Sequence, residues 1–252
     1  MDIDKRAQVE ENCFIGKGSH IFGKVKLMKN SLIGENTIIY GPAMIGSGTY
    51  IGPNCIIGHP DREGLTSALL NSDNLNLNSE KDLIKIGKSC ILRAGSVVYT
   101  NVSMSNAVET GHNVMIREHV KIGNNTKIGT NSVVDGSCNI GSNVSIQTGV
   151  YICTNSKIED AVFLGPNCVL TNDKYLMQKK TELLGPTIKK GASIGANATL
   201  MPGVIIGNGA IVGAEALVNE NVPSRTVYVG LPAKLKRSMP ADWKSILEKK
   251  KK

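Results

Sequence analysis

The sequence predicts an all-β fold, a parallel β-solenoid built from stacked coils of short strands, on the strength of three observations. An aliphatic residue recurs at every sixth position through most of the chain, a residue no larger than valine stands four positions after it, and glycine commonly follows it directly. The chain of 252 residues is 41% hydrophobic but only 4% aromatic. A core of Ile, Val and Ala side chains suits regular stacking better than irregular globular packing.

The aliphatic series falls in three stretches, 9–57, 86–170 and 188–218, and within them only Thr110 is not apolar. Each six-residue unit describes one short strand and one tight corner, with glycine at the corner and the small residue pointing inward. Three units make one coil, and successive coils stack about 4.8 Å apart through backbone hydrogen bonds. The predicted core is therefore a prism filled by aliphatic ladders.

The cysteines support this register. Five of the six occupy the small inward position, namely Cys13, Cys55, Cys90, Cys138 and Cys168. We predict that they fill the core as small hydrophobic side chains and form neither disulfides nor a metal site. Cys153 instead directly follows an aliphatic residue at a corner and is predicted to be the one exposed thiol. Free thiols agree with a cytoplasmic location, as does the polar segment 1–12, which does not resemble a signal peptide.

Two segments, 59–85 and 172–187, leave the repeat and are predicted to be loops extruded from the solenoid. The second carries Asn172, Asp173, Lys174 and Tyr175 together, which favours a functional role; the alternative for both loops is a tolerated insertion. We predict the β-helix over 1–223 and a C-terminal extension over 224–252. A short α-helix is expected from Pro240 to about Lys251, because proline favours the first helical turn.

The charge and hydropathy patterns exclude two classes of partner. The formal net charge is +8, but most of the excess lies between Lys234 and Lys252, so the body of the chain lacks the basic face of a nucleic-acid-binding protein. No apolar run approaches the ~20 residues of a membrane-spanning helix.

One edge of the predicted prism is polar. Residues 18 positions apart lie above one another, and one such column reads Tyr99, Arg117, Asp135, Cys153 and Thr171. Two positions further on, a second column reads Asn101, His119, Ser137, Asn155 and Asp173. Stability alone would be served by the plain glycine corners found elsewhere, so we interpret this edge as an active groove beneath the second loop. The alternative is the polar part of a subunit interface.

Four segments, 110–118, 165–175, 191–218 and 229–234, resemble the hexapeptide-repeat acyltransferases, and the resemblance covers essentially the whole chain. The segments around Asn172 resemble the branch that N-acetylates nucleotide-linked amino sugars. The resemblance implies a left-handed β-helix, a homotrimer with sites at the subunit boundaries, and acetyl-CoA as acyl donor without a metal. It also implies that backbone groups near Ala196 and Ala214 hold the pantetheine and that Lys234 approaches a phosphate.

On this interpretation the acceptor is the amino group of a nucleotide-linked sugar in glycan biosynthesis. Such an amine needs positioning more than a strong base, so Asp173 is expected to hold or deprotonate it and Asn172 to orient it. The remaining candidates for contacts with the acceptor are Arg117, Glu118, His119, Asn155 and Tyr175.

Three alternatives stay open from the sequence. A sugar hydroxyl would need a histidine base, for which His112 is the first candidate and His119 the second. A zinc carbonic anhydrase of the same fold would need three histidines across a subunit boundary, and the other histidines of the chain are His20 and His59. A trimeric scaffold without catalysis would need only the repeat.

Overall fold

The computed structural model describes residues 2–70 and 83–248 and confirms an all-β parallel solenoid that matches a left-handed β-helix. The chain divides into two compact units, Met1–Lys121 (unit 1) and Ile122–Lys252 (unit 2). Each unit repeats the same local design, a strand of two to five residues followed by a corner.

The strands of unit 1 are β1 (Asp2–Ile3), β2 (Gln8–Val9), β3 (Phe14–Ile15), β4 (His20–Phe22), β5 (Val25–Leu27), β6 (Leu32–Ile33), β7 (Ile38–Tyr40), β8 (Ala43–Ile45), β9 (Tyr50–Ile51), β10 (Ile56–His59), β11 (Ile84–Ile86), β12 (Ile91–Leu92), β13 (Val97–Tyr99), β14 (Ser103–Met104), β15 (Glu109–Thr110) and β16 (Met115–Ile116). The division between the units falls within β17 (Lys121–Ile122).

The strands of unit 2 are β18 (Lys127–Ile128), β19 (Val133–Val134), β20 (Asn139–Ile140), β21 (Ser145–Ile146), β22 (Tyr151–Ile152), β23 (Lys157–Ile158), β24 (Phe163–Leu164), β25 (Val169–Leu170), β26 (Thr187–Ile188), β27 (Ser193–Ile194), β28 (Thr199–Leu200), β29 (Ile205–Ile206), β30 (Ile211–Val212), β31 (Leu217–Val218), β32 (Thr226–Val229) and β33 (Lys234–Ser238).

Every third strand pairs in parallel, so each unit has three sheets, which we name A, B and C in the order of the chain. In unit 1 they contain β1-β4-β7-β10-β13-β16, β2-β5-β8-β11-β14 and β3-β6-β9-β12-β15. In unit 2 they contain β19-β22-β25-β28-β31, β20-β23-β26-β29 and β18-β21-β24-β27-β30-β32-β33. We call the turns between them the A–B, B–C and C–A corners. Only the last pair, β32 with β33, is antiparallel.

The core follows the predicted register. From Ile21 onward the residue at every sixth position is buried, as Ile21, Leu92, Ile152 and Val212 show. Serine and threonine at the small inward position are buried because their hydroxyls bond the backbone of the next coil: Thr37 Oγ1 donates to Gly52 O at 2.8 Å and Thr126 Oγ1 to Gly141 O at 2.8 Å. A buried polar group with a partner costs little.

The α-helix is not where the sequence predicted it. Residues 239–248 form turns, and the rest of the predicted C-terminal helix lies outside the described residues. The helix instead occupies Arg62–Leu70 (α1) in the first loop. It begins where Asp61 Oδ1 accepts the amide of Gly64 at 2.8 Å, a typical N-cap. At the C-terminus, Arg225 Nη2 donates to Pro240 O at 2.7 Å and holds the segment in turns against unit 2.

The prediction for Cys153 was wrong, because its side chain is only 1% exposed. The small thiol packs against its own corner, with Sγ 3.4 Å from Ser156 Oγ. Cys13, predicted to be buried, is instead half-buried in the first coils. Burial raises the pKa of the Cys138 and Cys168 thiols to about 12 and raises that of Cys153.

We therefore expect a thiol titration of native protein at pH 8 to count at most one fast group, Cys13, with all six reacting after denaturation. Two or more fast thiols would contradict the register. Because the folded pKa values lie above that of a free thiol, stability should be complete below about pH 8.5 and fall as the pH rises further, since unfolded thiols ionise there.

Candidate functional site

Sheets A and B differ in what they present outward, and sheet C is mixed, with Phe163 and Ile211 beside Lys127 and Ser145 in unit 2. Sheet A presents mostly apolar side chains, namely Ile38, Ile56, Val97 and Met115 in unit 1 and Val133, Tyr151, Val169 and Leu217 in unit 2. We call these residues the sheet A face. Sheet B presents polar residues such as Lys26, Lys85, Asn139 and Lys157. The A–B and C–A corners flank the sheet A face, so the side chains at these two corners lie beside it.

In unit 1 the A–B corner carries a cluster of two rings and a guanidinium. The ring centroids of His59 and Tyr99 lie 4.6 Å apart, and the guanidinium of Arg117 lies 5.4 Å from the centroid of Tyr99. Arg117 also makes two hydrogen bonds to the carboxylate of Glu118, at 3.1 and 2.9 Å. The predicted pair Arg117–Glu118 thus lies together in a rigid arrangement, to which His59 and Tyr99 contribute. The repeat alone does not place His59 beside Tyr99, because their alignment depends on the shift in register between β10 and β13.

The two candidate histidines lie at different corners of unit 1. His119 is exposed at the A–B corner with φ of 60°. This left-handed position is taken by asparagine more often than by any other residue, so the polar column that includes Asn101, Ser137 and Asn155 is explained in part by turn geometry. His112 is exposed at the C–A corner after β15.

In unit 2 the second loop leaves and rejoins the A–B corner. Residues 183–186 rebuild the coil: the amide of Lys157 donates to Pro186 O at 3.0 Å and that of Gly203 to Leu184 O at 2.8 Å. Two predicted site residues hold the loop against the corner by hydrogen bonds. Asn155 Nδ2 donates to Leu183 O at 3.0 Å, and Asn172 Nδ2 donates to Thr154 O at 3.3 Å.

Asp173 shapes the start of this loop. Its Oδ1 accepts the amide of Tyr175 at 2.9 Å and its Oδ2 accepts the amide of Met177 at 2.7 Å. The ring of Tyr175 lies under Lys174 and Lys179, at 6.0 and 5.4 Å. Asn155, Asn172, Asp173 and Tyr175 are therefore brought together around one loop, with both Asp173 oxygens engaged by backbone.

A second acidic residue of this corner was not among the predicted site residues. Asp135 Oδ2 accepts the hydroxyl of Tyr151 at 2.7 Å, and Tyr151 is 38% exposed on the sheet A face. The sequence could have indicated this pair, because Asp135 stands in the polar column and Tyr151 interrupts a valine series on sheet A.

Glycine follows the aliphatic residue at three successive levels of the C–A corner of unit 2, at Gly165, Gly195 and Gly213. A Cβ on Gly165 would lie 2.6 Å from the amide of Ala196, and one on Gly195 would lie 2.3 Å from that of Ala214, so successive turns approach as closely as backbone allows. Ala196 is half-buried and Ala214 exposed. Neither amide N–H donates a backbone hydrogen bond within the described residues. This corner can therefore receive an extended chain that hydrogen-bonds backbone.

Lys234 begins β33, close to this corner, since the amide of Ala233 donates to Leu217 O at 2.8 Å. Its ammonium pairs with Glu220 Oε1 at 2.9 Å, and its side chain is 64% exposed. The lysine is thus available to a phosphate once the exposed pair opens. In the part of the chain that the structure describes, no three His, Cys, Asp or Glu side chains are grouped to hold a metal ion. Nor does any helix there have the length and apolar character needed to cross a membrane.

A family model for the bacterial transferase hexapeptide (six repeats) matches residues 24–59, 101–136, 137–172 and 185–220, which together exceed half of the chain. The chain belongs to the bacterial transferase hexapeptide family. A model for the hexapeptide repeat of succinyl-transferase also matches this hexapeptide transferase, over residues 6–41 and 119–154.

Characterised relatives of this hexapeptide transferase match over short stretches. A serine acetyltransferase of Buchnera aphidicola is 48% identical over 50 residues, 20% of this chain and 18% of that protein. The dTDP-3-amino-3,6-dideoxy-α-D-galactopyranose 3-N-acetyltransferase of Aneurinibacillus thermoaerophilus is 48% identical over 56 residues, 22% of this chain and 29% of that protein. The chain thus spans less than a third of the length of these relatives. A hexapeptide-repeat acetyltransferase of Vibrio cholerae, solved with acetyl coenzyme A, has a TM-score of 0.43 and 24% identity over 47% of this chain and 70% of that chain.

Proposed function

We propose that this hexapeptide transferase is an acetyl-CoA-dependent enzyme that N-acetylates the amino group of a nucleotide-linked amino sugar. The observation that carries the proposal is the contrast between the two corners that flank the sheet A face in unit 2. The C–A corner offers bare backbone to an extended donor, and the A–B corner offers amide and carboxylate groups around a loop. The names of the relatives support acetyl transfer, and one of them supports an amino-sugar acceptor.

A homotrimer would bring the two corners together. The apolar sheet A face needs a partner, and a second copy of the chain is the occupant we propose. In a cyclic trimer the contact is head-to-tail, so one side of the sheet A face on each subunit meets the opposite side on the next. The A–B corner with Asn155, Asn172 and Asp173 would then face the C–A corner with Ala196 and Ala214 of its neighbour.

The donor would run down the C–A corner. Lys234 would hold a phosphate, and the amides of Ala214 and Ala196 would bind the pantetheine. The thioester then lies one coil or more below Ala196. The amine attacks the thioester carbonyl carbon, a C–N bond forms, the C–S bond breaks, and coenzyme A leaves as its thiolate. Asn172 and Asp173 act by holding the loop against the acceptor.

Acetyl-CoA turnover against matched amino and hydroxy nucleotide sugars tests the function. We expect the amino sugar to gain one acetyl group by mass spectrometry and the product to resist mild base, as an amide does. A base-labile ester formed on the hydroxy sugar would instead favour O-acetylation. That second candidate is supported by the serine acetyltransferase relatives and by the exposed His112, and His112→Ala should then nearly abolish turnover.

Lys234→Ala is expected to raise the KM for acetyl-CoA by about three- to tenfold with little effect on the acceptor KM, since an exposed charge contact is worth on the order of 1 kcal/mol. Glu220→Gln should lower the acetyl-CoA KM, because it releases the ammonium from its ion pair. Lys157→Ala, on the exposed side of sheet B, is the control. An unchanged KM in Lys234→Ala would remove that residue from the donor site.

A further inference from the structure

The proposed transfer leaves one proton unassigned. When the neutral amine attacks the thioester, its nitrogen becomes positively charged and must lose a proton before the amide is complete. The group that takes this proton must be a base beside the acceptor and near the level of the thioester. Of the predicted residues at the A–B corner of unit 2, Asn155 and Asn172 are amides that tie down the loop, and amides do not accept protons at neutral pH.

Asp173 is poorly suited to this task. Each of its oxygens accepts an amide of its own loop, at 2.9 and 2.7 Å. Protonation would weaken these two bonds and with them the turn that starts the loop. Cys153, at the same corner, is 1% exposed and its thiol pKa is raised by burial, so no thiolate is available there.

Asp135 stands in a different setting. Tyr151 donates its hydroxyl to Asp135 Oδ2 at 2.7 Å, a short bond to a charged acceptor. Tyr151 points outward from sheet A, so the pair lies where the A–B corner borders the sheet A face. A phenol bound to a carboxylate orients that carboxylate and can stabilise it as it gains or loses a proton.

The level of the pair along the solenoid also fits. Ala214 and Ala196 lie on successive coils, since the amide of Glu215 donates to Ala196 O at 2.8 Å. The coil below contains Pro166, whose carbonyl accepts the amide of Asn197 at 2.9 Å. Tyr151 lies one coil further down, where it pairs with Val169. Asp135 follows on the coil below that, where Val133 pairs with Tyr151. A donor that descends past Ala214 and Ala196 thus carries its thioester towards the Asp135–Tyr151 pair.

We propose that Asp135, oriented by Tyr151, accepts the proton of the attacking amine, while Asp173 positions the loop; this inference rests on the proposed N-acetylation. In the step, the amine nitrogen bonds to the carbonyl carbon and passes a proton to the Asp135 carboxylate. The C–S electron pair leaves on the coenzyme A thiolate, which regains a proton through solvent from Asp135.

Steady-state kinetics of four variants test the assignment. Asp135→Asn should lower kcat by about 10²–10⁴ and remove the fall in kcat at acidic pH, since no carboxylate remains to be protonated. Tyr151→Phe removes only the hydroxyl. It should lower kcat about tenfold and shift the pH at which kcat falls on the acidic side. Asp173→Asn should act mainly on the acceptor KM and should speed tryptic cleavage after Lys174 and Lys179. Asp160→Asn is the control, because that carboxylate bonds only the next coil at the B–C corner, accepting the Ser142 amide at 2.7 Å.

The outcomes separate the two proposals. If the wild-type enzyme acetylates no amine, the proposed function fails and this inference falls with it. If it acetylates an amine and Asp135→Asn keeps kcat within about threefold and an unchanged pH profile, only the inference is overturned. The inference would also be overturned if Asp173→Asn lost kcat and the fall in kcat at acidic pH while its rate of tryptic cleavage stayed unchanged. If Asp135→Asn fails to fold, Tyr151→Phe tests the assignment instead. An unchanged kcat with an unchanged fall at acidic pH in Tyr151→Phe would contradict it.

Discussion

On the proposed trimer, Val169→Asp is expected to yield monomers and to lower turnover at least about 100-fold. Val169 is half-buried on the outward side of β25, within the sheet A face. A carboxylate there would be buried without a partner in each subunit contact, and an uncompensated buried charge costs on the order of 3–5 kcal/mol. Because the two corners of the proposed site belong to neighbouring subunits, loss of the trimer removes every complete site.

Light scattering and turnover measured on the same preparations check this prediction. Thr187→Asp is a matched control: Thr187 is also half-buried at the first position of a strand, but on sheet B. It should leave both the mass and the turnover close to those of the wild type. A Val169→Asp protein that stays trimeric would show that another surface forms the subunit contact.

Ala214→Arg should raise the KM for acetyl-CoA about 100-fold or more while leaving the trimer intact. Ala214 is exposed at the C–A corner, and its amide follows the close approach of Gly195 to Gly213. A long charged side chain would fill the groove that a pantetheine needs and would block the backbone amides. The fold should tolerate it, because exposed substitutions away from special backbone positions rarely change stability by more than about 0.5 kcal/mol.

Asn208→Arg is the matched control, since Asn208 is exposed two residues after a buried isoleucine, the same turn position at the B–C corner. Isothermal calorimetry with coenzyme A separates the two variants directly. Equal affinity in Ala214→Arg and Asn208→Arg would remove the C–A corner from the donor site.

The repeat made the fold predictable because every sixth side chain is buried by the same geometry, so each of Ile21, Ile152 and Val212 reports the register independently. Cys153 escaped prediction because burial at its position depends on the coils above and below it. The helix at Arg62–Leu70 depends on a local cap at Asp61, and a loop without periodicity gave no signal for it.

The candidate site was predictable only as a polar edge. Column spacing brings Asn155, Asn172 and Asp173 to one corner, but it does not reveal which partners each side chain takes. The hydrogen bonds of Asp173 to its own loop and of Tyr151 to Asp135 arise from side-chain geometry that no repeat specifies. These hydrogen bonds assign Asp173 to the loop and direct the search for a base to Asp135.

Mixing two variants, each impaired at one corner, tests the central claim, that each site combines the A–B corner of one subunit with the C–A corner of the next. One variant carries Asn172→Ala with Asp173→Ala and the other carries Ala214→Arg; both are co-expressed with different tags and purified as mixed trimers. If the site is shared, one boundary of every mixed trimer pairs an intact A–B corner with an intact C–A corner, so about a third of the sites should be restored. If the mixed trimers are no more active than either parent variant, each site lies within one subunit, and this result would contradict the account.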